Sequence, residues 1–408
     1  MSRTLDVYLH TDYVGQLIQN EHGDMVFGYA QSWLDHPQAV PLSHSLTLRA
    51  AQFDRNECRG FFAGILPEET KRGIIARNLG ISARNDFAML EQIGGECAGA
   101  ITFIPAGEKL PEQNHGYKLL SDTDLAHVLR ELPRRPLMAG ADGIRLSLAG
   151  AQDKIAVHVD GDKISIPLGG APSTHILKPA IAHFEGLVFN EALCMNLAAA
   201  IGLPTAAVDT RKVEDIDYLL VKRYDRKVSG PTIQRLHQED FCQALGIISE
   251  HKYQREGGPS LKSGFGLIRD ISSAPVIDLQ RFLDAVIFNF LVGNHDAHGK
   301  NFSFIYDEQF SIAPLYDIVC TSYYPELSRK MAMKIGGEYE SEMIRPRSFD
   351  KMAEECGLAK PLVKKRVLEL SESVISALDK MYINNSVAEG VKSVIKKHCL
   401  EVLRIFKE

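Results

Sequence analysis

The sequence predicts an α+β chain in which a strand-rich lobe precedes a helical one, with a separate α/β region ahead of both. Three observations predict it. Short β-type runs recur between residues 155 and 223, helical spacing dominates after Asp240, and the first hundred residues carry their own alternation followed by helical patterns. A chain of 408 residues with 45% hydrophobic residues is long enough for more than one core.

In the N-terminal region, Leu5, Val7 and Leu9 share one face, and Val14, Leu17, Ile18 and the run 25–29 follow after turn-rich breaks such as 20–24. This spacing predicts a small β meander. Residues 48–93 read as helices, ending at Gly94-Gly95. Turn-rich stretches at 105–116 and 132–143 mark a linker. The predicted organisation is an N-terminal region over 1–110, a linker over 111–139, a strand-rich lobe over 140–230 and a helical lobe over 231–408. Within the strand-rich lobe, strands are expected at 155–159, 163–166, 174–178 and 218–223, with a helix at 191–201. In the helical lobe, Phe282, Val286, Phe290 and Leu283, Ile287, Leu291 sit at helical spacing. Strands at 302–306 and 310–315 follow, and amphipathic helices at 361–382 and 387–406 close the chain. His237-Gln-Glu-Asp240 reads as a helix start.

The net charge of -6 gives no global reason for direct nucleic-acid binding. No charged and apolar leader opens the chain, and no run approaches 18 apolar residues, so export and membrane spanning are not expected and the cytoplasm is. Seven cysteines without a Cys-x-x-Cys pair fit buried thiols in a reducing compartment.

The residues that carry chemistry lie near position 300. Asp296 and Asn301 stand in Gly293-Asn-His-Asp-Ala-His-Gly-Lys-Asn301, and Asp317 ends Ala313-Pro-Leu-Tyr-Asp317. An Asp, an Asn five residues later, a hairpin and a second Asp reproduce the spacing of a protein-kinase catalytic centre. Phosphoryl transfer needs a carboxylate beside the attacking hydroxyl and oxygen ligands for Mg²⁺. Asp296 is therefore the candidate base, and Asn301 and Asp317 the candidate metal ligands, on a bilobal protein-kinase-like fold. Two other readings compete. His295, Asp296 and His298 are also of the types that bind zinc in hydrolases, without a second cluster to complete the site. Gly293 to Lys300 resembles a Walker A loop, but its glycines are one residue too far apart and Asn301 stands in place of Ser or Thr.

A nucleotide also needs a phosphate cradle and a cation. Ser147-Leu-Ala-Gly-Ala-Gln-Asp-Lys154, leading into a strand, suits backbone-amide contacts. Lys178 is placed to reach the phosphates, with Glu191 on the next helix as its candidate partner. Backbone groups of Lys222, Arg223 and Tyr224 are candidates for the adenine.

Read together, the segments 147–154, 173–178, 222–226, 235–240, 293–301 and 314–317 resemble the HipA family of bacterial serine/threonine kinases, toxins of type II toxin–antitoxin modules, in family order over nearly the whole chain. The resemblance implies Asp296 as catalytic base, Asn301 and Asp317 as Mg²⁺ ligands, and Lys178 as an ATP-phosphate ligand. It also implies nucleotide contacts from Ala149, Gly150, Ala151, Gln152, Asp153 and Lys154, and from Lys222, Arg223 and Tyr224. Ser147 matches the family's autophosphorylated serine, whose modification displaces the phosphate loop. The implied partners are a small DNA-binding, HipB-like antitoxin, DNA through that antitoxin, and a translation-related protein substrate such as glutamyl-tRNA synthetase, whose phosphorylation arrests growth. A small-molecule kinase and a catalytically silent corepressor remain as alternatives.

Overall fold

The computed structural model describes residues 2–110, 116–181, 183–230 and 232–408. Contacts divide the chain into two compact units. The first comprises Met1–Pro179, Arg211–Glu250 and Ile305–Asp307, and the second Ala180–Thr210, His251–Phe304 and Glu308–Glu408.

The first unit opens with strands β1 (Arg3–Leu9), β2 (Asp12–Gln19) and β3 (Met25–Tyr29), the short helix α1 (Gln31–Leu34), and helices α2 (Arg55–Gly64), α3 (Glu69–Leu79) and α4 (Asp86–Ile93). Strand β4 (Ile101–Pro105) completes a sheet of order β3-β2-β1-β4, in which β1 pairs antiparallel with both β2 and β4. Leu5, Val7 and Leu9 are buried, so the alternation seen in the sequence is the pleat of a sheet with one covered face. Helix α2 starts where Asp54 and Glu57 form a reciprocal capping box.

Strand β5 (Tyr117–Leu119) and helix α5 (Asp122–Glu131) occupy the stretch expected as a linker, of which residues 111–115 lie outside the described residues. Leu125 and Leu129 of α5 are buried, and Ser121 caps the helix with Asp124. The turn signals on either side punctuate a packed helix. Strands β6 (Ile155–Asp160), β7 (Lys163–Pro167) and β8 (His175–Pro179) follow, then helix α6 (Leu187–Ala200) of the second unit, then β9 (Val208–Val213) and β10 (Ile216–Lys222). The sheet order is β5-β7-β6-β8-β10-β9, with β8 antiparallel to both β6 and β10. A hairpin of β11 (Arg226–Ser229) and β12 (Thr232–Arg235), the strand β13 (His237–Asp240) and the short helix α7 (Phe241–Ala244) end this part. The expected helix start is Asp240, which caps α7 through Gln243, while the residues just before it are extended.

A buried ion cluster ties the first unit together. Arg223 reaches Glu96 at 3.1 Å and Asp225 at 2.7 Å, and Arg226 reaches Glu96 at 2.9 Å and Asp225 at 2.8 Å. Ser173 donates to Glu96 through its amide at 2.9 Å and its hydroxyl at 2.7 Å, and the Gly99 amide donates to Asp225 at 2.7 Å. Charges this deeply buried are tolerated only when paired and hydrogen-bonded on all sides.

In the second unit, helices α8 (Leu261–Ile271) and α9 (Pro275–Leu291) lead to β14 (Ser303–Tyr306) and β15 (Phe310–Ile312). Residues 282–291 of α9 are all buried, so α9 is a core helix. Asp284 fastens it to Arg366 through two hydrogen bonds of 2.9 Å. The hairpin of β16 (Lys330–Ile335) and β17 (Glu338–Glu340) corrects the expectation that only the 302–315 hairpin interrupts the helices beyond Asp240. Lys-Met-Ala-Met-Lys is rich in helix-forming residues, and local context overrides that preference. Helices α10 (Pro346–Cys356), α11 (Lys360–Lys380) and α12 (Ser386–Lys407) complete the unit. All seven cysteines are buried and free. Among the described residues, no helix is long and apolar enough to cross a membrane.

Glu96→Gln removes one charge from the cluster and leaves two buried guanidiniums short of a partner. It will cost about 3–5 kcal/mol in chemical denaturation. Burial alone would push the Glu96 carboxyl up, but Arg223, Arg226 and Arg235 outweigh it and hold it at about 2 against an ordinary 4.5. A depressed carboxyl stabilises the fold fully above its ordinary range, and that contribution is lost as pH falls from about 4.5 toward about 2. The wild-type stability curve will fall through this window more steeply than that of Glu96→Gln.

Candidate active site

The loop after α9 is built from its own side chains. Gly293 has φ +68°, and a Cβ there would lie 2.3 Å from Ser322 Oγ, so the turn and the close approach both require glycine. Asn294 donates from its side chain to Asn289 Oδ1 at 2.7 Å and accepts the Asp296 amide at 3.2 Å. The His298 amide donates to the Asp296 carbonyl at 2.8 Å and to Asn301 Oδ1 at 3.1 Å, winding the loop into a single turn between the two residues. The five-residue Asp-to-Asn spacing is this turn. From 282 to 304 every residue is buried except Asp296. The Tyr253 hydroxyl donates to Asp296 Oδ1 at 2.7 Å.

His295 faces away from any metal-binding arrangement. Its Nδ1 donates to the Ser328 carbonyl at 3.1 Å, and its Nε2 lies 3.3 Å from Ser322 Oγ. Burial pushes its pKa down to about 4, against the opposing effect of the Ser328 carbonyl, which keeps the ring neutral. Among the described residues, no group of three or more His, Cys, Asp and Glu side chains is arranged to hold a metal ion.

The segment carrying Asp317 is bolted to the same loop. Thr321 Oγ donates to the Gly293 carbonyl at 2.9 Å and accepts the His295 amide at 2.9 Å. Asn190 of α6 brackets Cys320, donating to its carbonyl at 3.1 Å and accepting its amide at 2.8 Å. The Tyr316 hydroxyl donates to the Lys300 carbonyl at 2.8 Å, linking the residue before Asp317 to the residue before Asn301. As a result Asn301 Nδ2 donates to Asp317 Oδ2 at 3.3 Å. Asp317 has φ +59°, a left-handed conformation that L-residues adopt at a cost and that concentrates at functional sites. The two side chains expected to hold Mg²⁺ are therefore in contact, through the Asn301 amide nitrogen, while Asn301 Oδ1 accepts the His298 amide.

The residues expected to contact the phosphates lie in the first unit. Ser147 is fully buried, donating its amide to the Glu96 carbonyl at 2.9 Å and its hydroxyl to the Ile65 carbonyl at 3.0 Å. Gly150 has φ +107° and bridges to Pro67, and its carbonyl accepts the Glu68 amide at 3.3 Å. Around Ala149, Ala151 and Gln152, the Lys154 amine folds back onto the Ala149 carbonyl at 2.8 Å, and Asp153 is paired with Lys71 of α3 at 2.6 Å. The loop is therefore strapped to residues 65–71 of the N-terminal region. Lys178 is buried near the end of the inner strand β8, opposite Leu219 on β10, and Ile155, where β6 begins, faces its neighbour Leu177. The structure brings the loop and Lys178 to one end of the sheet.

Lys222 pairs with His175 at the opposite end of β8. The Arg223 amide donates to the Thr174 carbonyl at 3.0 Å and its guanidinium is spent in the ion cluster, while the Tyr224 hydroxyl bonds Gln238. Any nucleotide contact at 222–224 falls to the remaining backbone groups. Sequence reasoning missed Asn190, Thr321 and Glu96 as the groups that place the site. Their partners lie 130, 28 and 127 residues away, as Asn190–Cys320, Thr321–Gly293 and Glu96–Arg223 show, and no local pattern marks such pairs.

Two domain models match this chain. Residues 5–104 match the model of the HipA N-terminal domain, and residues 146–379 match that of the HipA-like C-terminal domain. Sinorhizobium fredii Y4mE is 45% identical, over 94% of this chain and 93% of its own. The serine/threonine-protein kinase toxin HipA of Shewanella oneidensis is 29% identical, over 92% of this chain and 88% of its own. Among solved structures, a Shewanella oneidensis HipA, HipB and operator DNA complex contains a chain that superposes with a TM-score of 0.87 at 27% identity, covering 99% of this chain and 98% of that one.

The left-handed backbone at Asp317 separates conformation from chemistry. Asp317→Ala keeps the strain and will be less stable than Asp317→Gly by about 1 kcal/mol in thermal unfolding. The same pair tests the expectation that Asp317 holds Mg²⁺, on which both lose Mg²⁺ binding by calorimetry.

Proposed function

Since the chain belongs to the HipA family of serine/threonine-protein kinase toxins, we propose that it transfers the γ-phosphoryl group of ATP to a serine or threonine hydroxyl of a protein, as the toxin of a type II toxin–antitoxin pair. One observation carries the catalytic assignment: a single exposed carboxylate, Asp296, stands out of a wholly buried loop whose other end holds Asn301 against Asp317. The acceptor hydroxyl gives its proton to Asp296 as its oxygen bonds the γ-phosphorus and ADP leaves. Lys178 and the loop 149–154 hold the phosphates. Asn301 and Asp317 would hold Mg²⁺, which would supply charge neutralisation during the transfer.

Ser147 is the proposed site of regulatory autophosphorylation. A phosphate there adds up to about two negative charges. The hydroxyl is enclosed, with its oxygen on Ile65, so a phosphorylated loop must leave its seat on Glu96 and Ile65 and take its phosphate-binding amides with it. The proposed partner is a HipB-like antitoxin, as in the Shewanella oneidensis complex, with DNA bound through it. The proposed target is a translation-related protein such as glutamyl-tRNA synthetase, reached in the cytoplasm.

Asp296→Asn will lower phosphoryl transfer by about 10²–10⁴-fold. Phosphoproteomes of cells expressing wild type and Asp296→Asn, compared directly, identify the target; identical phosphoproteomes would sink the protein-kinase reading. Ser147→Ala will take no label at that position and will not lose activity during prolonged incubation with ATP.

A further inference from the structure

We propose that Tyr253 is a positioning residue for phosphoryl transfer: its hydroxyl holds one oxygen of the Asp296 carboxylate so that the other is left to accept the proton of the acceptor hydroxyl. The proposal rests on the reading of Asp296 as the base. Asp296 is exposed, and among the described residues its carboxylate takes one hydrogen bond, from Tyr253 at 2.7 Å. That length is typical of a hydroxyl donating to a carboxylate. An exposed side chain without such an anchor spends its time among several rotamers.

Tyr253 is itself held. Its carbonyl accepts the amides of Glu256 and Gly258, each at 2.9 Å. A Cβ on Gly258 would lie 2.2 Å from the His251 carbonyl oxygen, so the turn that presents Tyr253 closes only around glycine. On either side, the Lys252 carbonyl accepts the Gly299 amide at 3.3 Å and the Gln254 side chain accepts the Lys334 amide at 2.8 Å. The tyrosine ring meets His298 edge-on at 5.2 Å, and the His298 amide is the one that donates to Asn301 Oδ1. Tyr253 therefore touches the base and the residue that sets the metal-side asparagine.

The carboxylate divides its work between two oxygens. Oδ1 stays with Tyr253, which keeps its own proton throughout. Oδ2 takes the acceptor proton while the acceptor oxygen bonds the γ-phosphorus and the bond to ADP breaks. Tyr253 acts through the Asp296 carboxylate, so its effect is expected on the rate of transfer and not on KM.

The test measures transfer from labelled ATP to full-length Asp317→Ala protein as acceptor. Tyr253→Phe, which keeps the ring against His298, is expected to lower kcat roughly 10-fold, the effect of losing one hydrogen bond to a charged group, with KM for ATP and for the acceptor unchanged and the melting temperature preserved. In an Asp296→Asn background the same substitution is expected to cause no further loss. An unchanged kcat, or an equal loss in both backgrounds, overturns the role assigned to Tyr253 while leaving the kinase reading intact. Wild-type protein that transfers no label to this acceptor overturns both.

Discussion

Glu96 is the residue on which the first unit depends. Its side chain neutralises Arg223 and Arg226 and receives Ser173, while its backbone takes the amide of Ser147 and gives its own to Arg145. One residue of the N-terminal region thus joins the start of the 147–154 loop to the segments that precede β8 and follow β10. A solitary charge at full burial would be expelled or neutralised. The cluster persists because Asp225 and two arginines close it. The family's two named domains, 5–104 and 146–379, are consequently not independent here, because the loop that opens the second is seated on the first.

The second unit solves a different problem with neutral groups. Asn289, Asn294, Thr321 and Asn190 are buried polar side chains whose hydrogen bonds go chiefly to backbone atoms of α9, of the 293–301 loop and of the Asp317 segment, or to each other. Such fully satisfied networks fix one geometry, because every alternative leaves a buried donor or acceptor unpaired. Two segments more than a dozen residues apart are held so that Asn301 and Asp317 meet.

Much of this was legible in the sequence. The meander, the central helix, the hairpin after Asn301 and the spacing of the three site residues all follow from short-range periodicity and turn chemistry. What was not legible depended on distant partners. Lys178 lies near the end of its strand, and its burial comes from neighbours on other strands that no local pattern marks. Strand β16 was hidden because its residues favour helices and only tertiary packing extends them. Helix α5 was read as linker because Pro and Gly on both sides masked a short amphipathic run. Lys222–Tyr224 could be placed on a strand end from local pattern, but which end of the sheet that strand reaches is set by its register with β8.

The isolation of Asp296 within the buried span 282–304 has an evolutionary consequence. Nearly every substitution in that span disturbs the core, and core changes are costly whatever they do for chemistry. The 293–301 loop is therefore poor ground for variation. Exposed positions outside this span can change at far smaller cost to the fold.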